Sequence, residues 1–222
     1  MKNTVIFDLD GTLLDTLDDL TNSANYTLKC LNCPVRTRSE IRSFVGNGIL
    51  VLLRKALPKG TEEETVQKAL TIFSRHYGEH CNDLTKPYQG IPELIQALQE
   101  KNIKTAIVSN KPDFAVKELA SIYFKGTMPV AIGENESAGI QKKPAPDTVF
   151  KALELLGSTA EESVYVGDSE VDIDTARNAR MDAILCSWGF RDEDFLRSKG
   201  AEVIIHEPME LLEGCQAPLR NY

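Results

Sequence analysis

The 222-residue chain has no apolar run long enough to cross a bilayer. No apolar signal core precedes its first strand-like segment either, because Met1-Lys2-Asn3-Thr4 leads directly into Val5-Ile6-Phe7. Both absences predict a cytoplasmic protein without a membrane partner. A basic excess is also missing: 25 Lys and Arg stand against 33 Asp and Glu, for a formal net charge of −8. Nucleic acid and anionic lipid need a basic face, so neither is an expected partner. An anionic small molecule stays open, since a bound divalent cation reverses the sign of a local site. Cysteine is scarce, five residues at scattered positions. An odd, unpatterned set argues against a disulfide framework and for reduced thiols. Internal repeats and low-complexity segments are absent.

What is present is an ordinary globular composition, 42% hydrophobic and 26% charged, able to bury a sizeable core. The length fits one large domain or a domain carrying an insertion. Short β-branched apolar runs recur at Thr4 to Leu9, Lys104 to Val108, Pro129 to Ile132, Val164 to Val166, Ala183 to Cys186 and Val203 to Ile205. Helical patterns at Ile91 to Leu98, Asp147 to Leu156 and Ile173 to Ala179 separate the later runs. Such alternation predicts an α/β fold, a parallel sheet with helices on both faces. The first gap differs: it is long and mostly helical in pattern, at Leu17 to Cys30, Ser39 to Val45, Ile49 to Ala56 and Glu62 to His80. It is too long for a simple crossover and reads as a helical insertion hinged near Asp15-Thr16 and near Asp83 to Tyr88.

Four segments stand at or just beyond predicted strand ends, where open α/β sheets build their sites. The first is Asp8-Leu9-Asp10-Gly11-Thr12. Residues i and i+2 of an extended strand point the same way, and Gly11 permits a sharp turn behind them. Paired carboxylates there suit a nucleophile beside an acid/base, a hard-cation site, or both; a solvated strand end is the plain alternative. The second segment is Val108-Ser109-Asn110. The third is Lys142-Lys143-Pro144-Ala145-Pro146-Asp147, just before a helix. The fourth is Val166-Gly167-Asp168-Ser169-Glu170-Val171-Asp172, with carboxylates four apart. Several carboxylates without a matching arginine cluster repel, so a hard cation such as Mg²⁺ is expected among them. A lone lysine and a hydroxyl beside that acidic set suit a phosphate.

These four segments, in this order, resemble the haloacid dehalogenase superfamily, and the helical block resembles that superfamily's smaller cap type. The resemblance covers nearly the whole chain. Within the superfamily, Pro87-Tyr88-Gln89-Gly90-Ile91-Pro92-Glu93-Leu94, Val45-Gly46-Asn47-Gly48 and Lys143-Pro144-Ala145-Pro146-Asp147 sit as in its phosphoglycolate phosphatase branch. The resemblance implies a Rossmann-like core at residues 1–15 and 84–222 with an inserted α-helical cap at 16–83. It implies a Mg²⁺-dependent phosphatase acting on a small phosphorylated metabolite, 2-phosphoglycolate foremost, through an aspartyl phosphate. Asp8 would be the nucleophile and a metal ligand. Asp10 would be the acid/base, and its backbone carbonyl would ligate Mg²⁺. Ser109 would bind the phosphoryl group, helped by backbone amides near Asp10 and Asn110. Lys143 would neutralise charge on Asp8 and on the phosphoryl oxygens. Asp168 would ligate the metal, and Asp172 would hold the metal site directly or through water. A monomer or homodimer is expected, with the cap closing over the substrate and residues near Gly46 to Gly48 and Leu50 to Arg54 choosing it.

Plainer readings stand beside these. Thr12 serves either the turn or the site, Lys142 and Glu170 read as solvated, although some members of the superfamily use the Glu170 position near the metal, and Ser169 reads as a helix cap. Trp188-Gly189-Phe190-Arg191 lines the cleft edge or simply packs. Arg180 stands where the branch has glycine, at a helix end costing about 1 kcal/mol in the left-handed region. Gly214 to Tyr222 reads as a loose tail. Cys30, Cys33, His76 and His80 have zinc-like spacing, but helix geometry places the two pairs ~18 Å apart, so they read as incidental. A β-phosphoglucomutase-like mutase would carry a histidine soon after the first motif and basic residues in the cap loop. Leu17-Asp18-Asp19-Leu20 and Val45-Gly46-Asn47-Gly48 supply neither. A dehalogenase or phosphonatase would lack an acid at Asp10. A non-catalytic metabolite-binding protein would be expected to have lost Asp8 or Lys143. A pyrophosphatase stays open.

Overall fold

The computed structural model describes residues 2–135 and 139–215. The chain divides into two compact units: Met1–Leu14 with Pro87–Tyr222, and Asp15–Lys86. The larger unit is built on a six-stranded parallel sheet. Its strands are β1 (Thr4–Phe7), β4 (Lys104–Pro112), β5 (Val130–Glu134), β6 (Ser163–Gly167), β7 (Asp182–Cys186) and β8 (Ile204–Ile205), in the order β5-β4-β1-β6-β7-β8. A separate ribbon pairs β2 (Leu14–Asp15) with β3 (Lys86–Pro87).

Side-chain alternation along β1 shows why both sheet faces are covered. Val5 and Phe7 point into one core with Ile107, Val164 and Val166, packed under α5 (Ile91–Glu100) and α6 (Asp113–Tyr123). Ile6 points to the other face, joining Ala106, Val108 and Tyr165 under α7 (Asp147–Leu156) and α8 (Glu170–Asn178). Every residue of β1 is fully buried. This is the parallel-sheet, two-faced α/β core expected from the alternation of runs.

The smaller unit holds α1 (Leu17–Cys30), α2 (Arg38–Phe44), α3 (Ile49–Ala56) and α4 (Glu63–His80), with Leu20, Ala24, Leu28, Ile41, Leu52, Leu53, Val66, Ala69 and Phe73 buried. Thr37 starts α2 through a reciprocal capping box with Glu40. No helix of the described residues is long and apolar enough to cross a membrane.

Some boundaries differ from the sequence reading. β1 stops at Phe7 rather than Leu9, because the chain turns and Asp10 forms an isolated bridge with Leu14. β4 runs past Val108 to Pro112, and its pairing with β5 shifts register between Val108 and Pro112. That irregularity carries Ser109, Asn110 and Lys111 at the strand's carboxyl end, a usual place for a bulge that re-aims side chains. α6 was not anticipated, although Ala115, Val116, Leu119 and Ala120 form its buried stripe. After α8, Arg180 does adopt φ 56°, the left-handed position anticipated from its place at the helix end. The expected loose tail falls mostly outside the described residues; Gly214 itself ends a short helix, Leu211–Gly214.

Candidate active site

The carboxyl ends of β1, β4 and β6 converge on a buried charged cluster. Asp8 leaves β1, and its Oδ1 lies 2.7 Å from Lys143 Nζ. The same ammonium is 2.8 Å from Asp172 Oδ1 and donates to the Tyr165 hydroxyl at 3.0 Å. Tyr165 donates in turn to Asp172 Oδ1 at 3.0 Å. The other oxygen of Asp172 accepts from the backbone N–H groups of Asp168 and Ser169 and from Ser169 Oγ. Ser169 and Asp172 form the capping box that starts α8, so the cap reading of Ser169 holds and Asp172 is tied in the same motif. Asp168 Oδ1 accepts from Thr12 Oγ1 at 3.3 Å, and its Oδ2 accepts from the Phe190 N–H at 2.6 Å. Thr12 thus links the first turn to the acidic group rather than serving the turn alone.

Glycine is required at several places here, two of them against Asp168. Gly11 has φ 92°, and a Cβ there would collide with the Asp168 carboxylate. At Gly189 a Cβ would strike Asp168 and the Gly11 carbonyl.

Asp8, Asp168 and Asp172 each offer an oxygen, and these oxygens lie within 4.8 Å of one another. One ammonium cannot neutralise three buried carboxylates. Burial, with the charges of Asp172 and Asp10 adding and Lys143 opposing, pushes the Asp8 carboxyl up to about 7. Burial, reinforced by Asp172 and Asp8, pushes Asp168 well up. For Asp172, burial is outweighed by the Lys143 charge and by donors from Lys143, Ser169 and Tyr165, which hold it below the ordinary range. Burial works against the Lys143 charge, but Asp172 and Asp8 hold that lysine protonated. The result is an all-oxygen donor set whose Asp8 and Asp168 carboxyls hold on to protons for want of positive charge, which fits a hard divalent cation that would replace them.

Asp10 stands apart from that group. Its Oδ1 lies 2.7 Å from Lys111 Nζ, and Ser109 Oγ donates to its Oδ2 at 3.4 Å. The side chain of Lys111 is 1% exposed. Ser109 and Lys111 are i and i+2 on β4, so both side chains reach the same carboxylate. The expected shared exit of Asp8 and Asp10 therefore splits after Phe7 into two pairs with different cations. The reading of a single site lysine is corrected as well, because Lys111 is a second buried one. Asn110 uses its side-chain amide to hold the Lys143 carbonyl at 3.0 Å, fixing the segment that carries that lysine.

The haloacid dehalogenase-like hydrolase family model matches residues 5–186. The chain belongs to the haloacid dehalogenase-like hydrolase family. The phosphoglycolate phosphatase of Aquifex aeolicus is 34% identical over 206 residues, covering 90% of this chain and 94% of that one. The phosphoglycolate phosphatase of Colwellia psychrerythraea is 32% identical over 218 residues, covering 95% and 96%. A crystal structure from Lactobacillus delbrueckii subsp. bulgaricus superposes with a TM-score of 0.90 at 37% identity, covering 97% of this chain and 99% of that one.

Other expectations for this hydrolase-family chain meet mixed outcomes. Lys142 is not simply solvated: it lies 3.7 Å from Glu134. Glu170 is likewise not free, because Arg191 Nε approaches it to 3.0 Å. Long-range pairs of this kind have no local sequence signature. Trp188 packs against the core and donates its indole N–H to the Thr12 carbonyl at 3.0 Å. Among the described residues the group of three or more metal-ligating side chains is Asp8, Asp168 and Asp172, without Cys30 or Cys33. Tyr165 was missed because a buried aromatic in a strand reads as core. Lys111 had one available signal, its place two residues beyond Ser109.

Proposed function

We propose that this protein is a Mg²⁺-dependent phosphoric monoester hydrolase that works through an aspartyl phosphate. The observation that carries this reading is the split environment of two carboxylates from one strand end. Asp8 sits in the acidic group with Lys143, whereas Asp10 is held separately by Lys111 and Ser109. Two titratable groups in contrasting environments suit a nucleophile and an acid/base.

In this mechanism an Asp8 carboxylate oxygen attacks phosphorus. The bond to the leaving alcohol oxygen breaks as Asp10 gives that oxygen its proton. Asp10 then takes a proton from a water whose oxygen attacks the aspartyl phosphate, releasing phosphate and regenerating Asp8. Ser109 Oγ donates to a phosphoryl oxygen. Lys143 stays charged and balances Asp8 and the phosphoryl oxygens. Lys111 keeps the Asp10 carboxyl turned toward Ser109. Asp8, Asp168, the Asp10 backbone carbonyl and Asp172, the last directly or through water, would hold Mg²⁺. That cation, when bound, neutralises charge as the phosphoryl group transfers.

The curated relatives named phosphoglycolate phosphatases, aligned over 90% of this chain or more, support 2-phosphoglycolate as the substrate. The cluster would serve any phosphate monoester, so selection falls to residues outside it; those near Gly46 to Gly48 and along Leu50 to Arg54 are the ones to substitute.

The test is phosphate release from 2-phosphoglycolate, hexose phosphates, nucleoside monophosphates and pyrophosphate, with Mg²⁺ and with chelator. Chelator-sensitive turnover is expected, highest on 2-phosphoglycolate. Preference for pyrophosphate, an anhydride, would keep the hydrolase and overturn the monoester class. Phosphate exchange between positions of a hexose phosphate, without release, would overturn the hydrolase in favour of a mutase.

A further inference from the structure

Outside the strand-end cluster, His76 and His80 on α4 are metal-ligating side chains that the proposed reaction does not use. They are four residues apart on one helix face, the spacing at which two imidazoles can share one ion. Their ring centroids are 4.4 Å apart with planes tilted by 33°. Each ring already has its Nδ1 engaged. His80 Nδ1 lies 2.8 Å from Asp83 Oδ2. A carboxylate only accepts, so the proton of neutral His80 sits on Nδ1 and the lone pair on Nε2. His76 Nδ1 lies 2.9 Å from Ser23 Oγ, a hydroxyl that can accept in the same way. Tyr26 stacks on His76 at 4.1 Å and limits its rotation. A ligating imidazole with its second nitrogen bound to a carboxylate or hydroxyl is how metal-binding histidines are oriented.

We propose that His76 and His80 form a two-imidazole site for a late first-row divalent cation, of the Zn²⁺, Ni²⁺ and Cu²⁺ class, with water completing the shell. Metal–nitrogen distances of about 2.0–2.1 Å require the two Nε2 lone pairs to converge on one point, so the tilted rings must turn toward one another when the ion binds. Nitrogen donors discriminate against Mg²⁺, which prefers oxygen. The site is therefore chemically distinct from the all-oxygen group of Asp8, Asp168 and Asp172. It also differs from a Cys₂His₂ site, since neither Cys30 nor Cys33 takes part. A bound ion would fasten the last turn of α4, which Ser23 and Tyr26 already connect to α1.

The test uses the whole, tag-free chain in excess Mg²⁺, titrated with Zn²⁺ and read at the imidazole nitrogens by NMR. The protein has three histidines, so His206 is an internal control. The Nε2 resonances of His76 and His80 should shift together with one saturable isotherm while that of His206 stays still. His80→Ala should weaken the isotherm at least tenfold. Asp83→Asn, which keeps both rings and alters only the orienting acceptor, should weaken it by roughly tenfold. Cys30→Ser with Cys33→Ser should leave it unchanged. Unshifted His76 and His80 resonances in Zn²⁺ would overturn the proposal, as would an isotherm that His80→Ala leaves intact.

Discussion

Charge is handled differently in the two compact units. In the larger one, Lys143 with Asp8 and Asp172, and Lys111 with Asp10, are buried ion pairs with side chains at most 12% exposed. In the helical unit, Arg38 with Asp18 and Arg54 with Glu63 lie in solvent, each side chain 46% exposed or more. Burying charge costs several kcal/mol per ion before pairing offsets it, whereas exposed pairs contribute about 0–1 kcal/mol. A fold gains little stability from the first arrangement, so its presence at three strand ends marks chemistry. The helical unit supplies a useful contrast in Asp19, which is 2% exposed. That carboxylate accepts from the backbone N–H groups of Leu84 and Thr85 and from the Thr85 hydroxyl. It has its donors supplied by backbone and hydroxyl groups and reads as a clamp on the chain. Burial alone does not mark chemistry; burial with charge left over does.

The strongest attempt to break this contrast is Asp8→Asn. If the buried group is catalytic, turnover should fall by at least ~10³-fold while the fold survives, because the amide keeps the shape and loses the nucleophile. Circular dichroism with phosphate release measures both, and appreciable residual turnover would remove Asp8 from the role. Lys143→Met comes next. It should abolish turnover and also cost about 3–5 kcal/mol of stability, since Asp8 and Asp172 would remain buried without their cation. Denaturant unfolding that matches wild type would show that these charges are less enclosed than their geometry indicates.

Lys111→Met tests the second pair more gently. Asp10 keeps its carboxyl but loses its orienting ammonium, so kcat should fall by about 10- to 100-fold with little change in KM. A rise in KM at constant kcat would mean that Lys111 binds substrate and does not position Asp10. The pH dependence of cation binding sharpens the contrast further. Asp8 is raised to about 7, against about 4 for an unburied aspartate. Between those values the folded, metal-free protein holds a proton that the unfolded chain has shed. Metal-free stability therefore falls as pH rises from about 4 toward about 7. Mg²⁺ competes with that proton, so its addition should raise the melting temperature more near pH 8 than near pH 5. Equal shifts at both values would place the cation elsewhere.

How much of this was readable in the sequence follows from the range of each interaction. The short apolar runs and helical stripes depend on neighbours within a few residues, and the α/β alternation followed from them. Asp8, Ser109, Lys143 and Asp168 stand in short segments at strand ends, where local pattern and location coincide. Lys111 was missed because a buried lysine and a solvated one look alike in sequence; only the irregular extension of β4 turns it inward. The pairing of Glu170 with Arg191 and the donation from Tyr165 to Asp172 depend on how distant segments meet. Arg180 was foreseeable through the resemblance, since the branch has glycine at that helix end, and φ 56° is the left-handed conformation such a glycine would serve.

The smallest expected effect lies on the helical unit. Arg38 Nε is 2.6 Å from Asp18 Oδ1, with the two side chains 51% and 50% exposed, and a second nitrogen of Arg38 is 3.6 Å from Asp15 Oδ2. Short distance alone would suggest a strong pair. Solvent screening and the entropy of fixing a long side chain argue otherwise, so a double-mutant cycle of Arg38→Ala with Asp18→Ala should give a coupling below about 1 kcal/mol. The coupling should shrink further in high salt, as surface charge is screened over a Debye length of ~3 Å at molar ionic strength. A coupling of several kcal/mol, insensitive to salt, would mean that this unit also holds enclosed charge, and burial of the lysines at the strand ends would no longer set the two units apart.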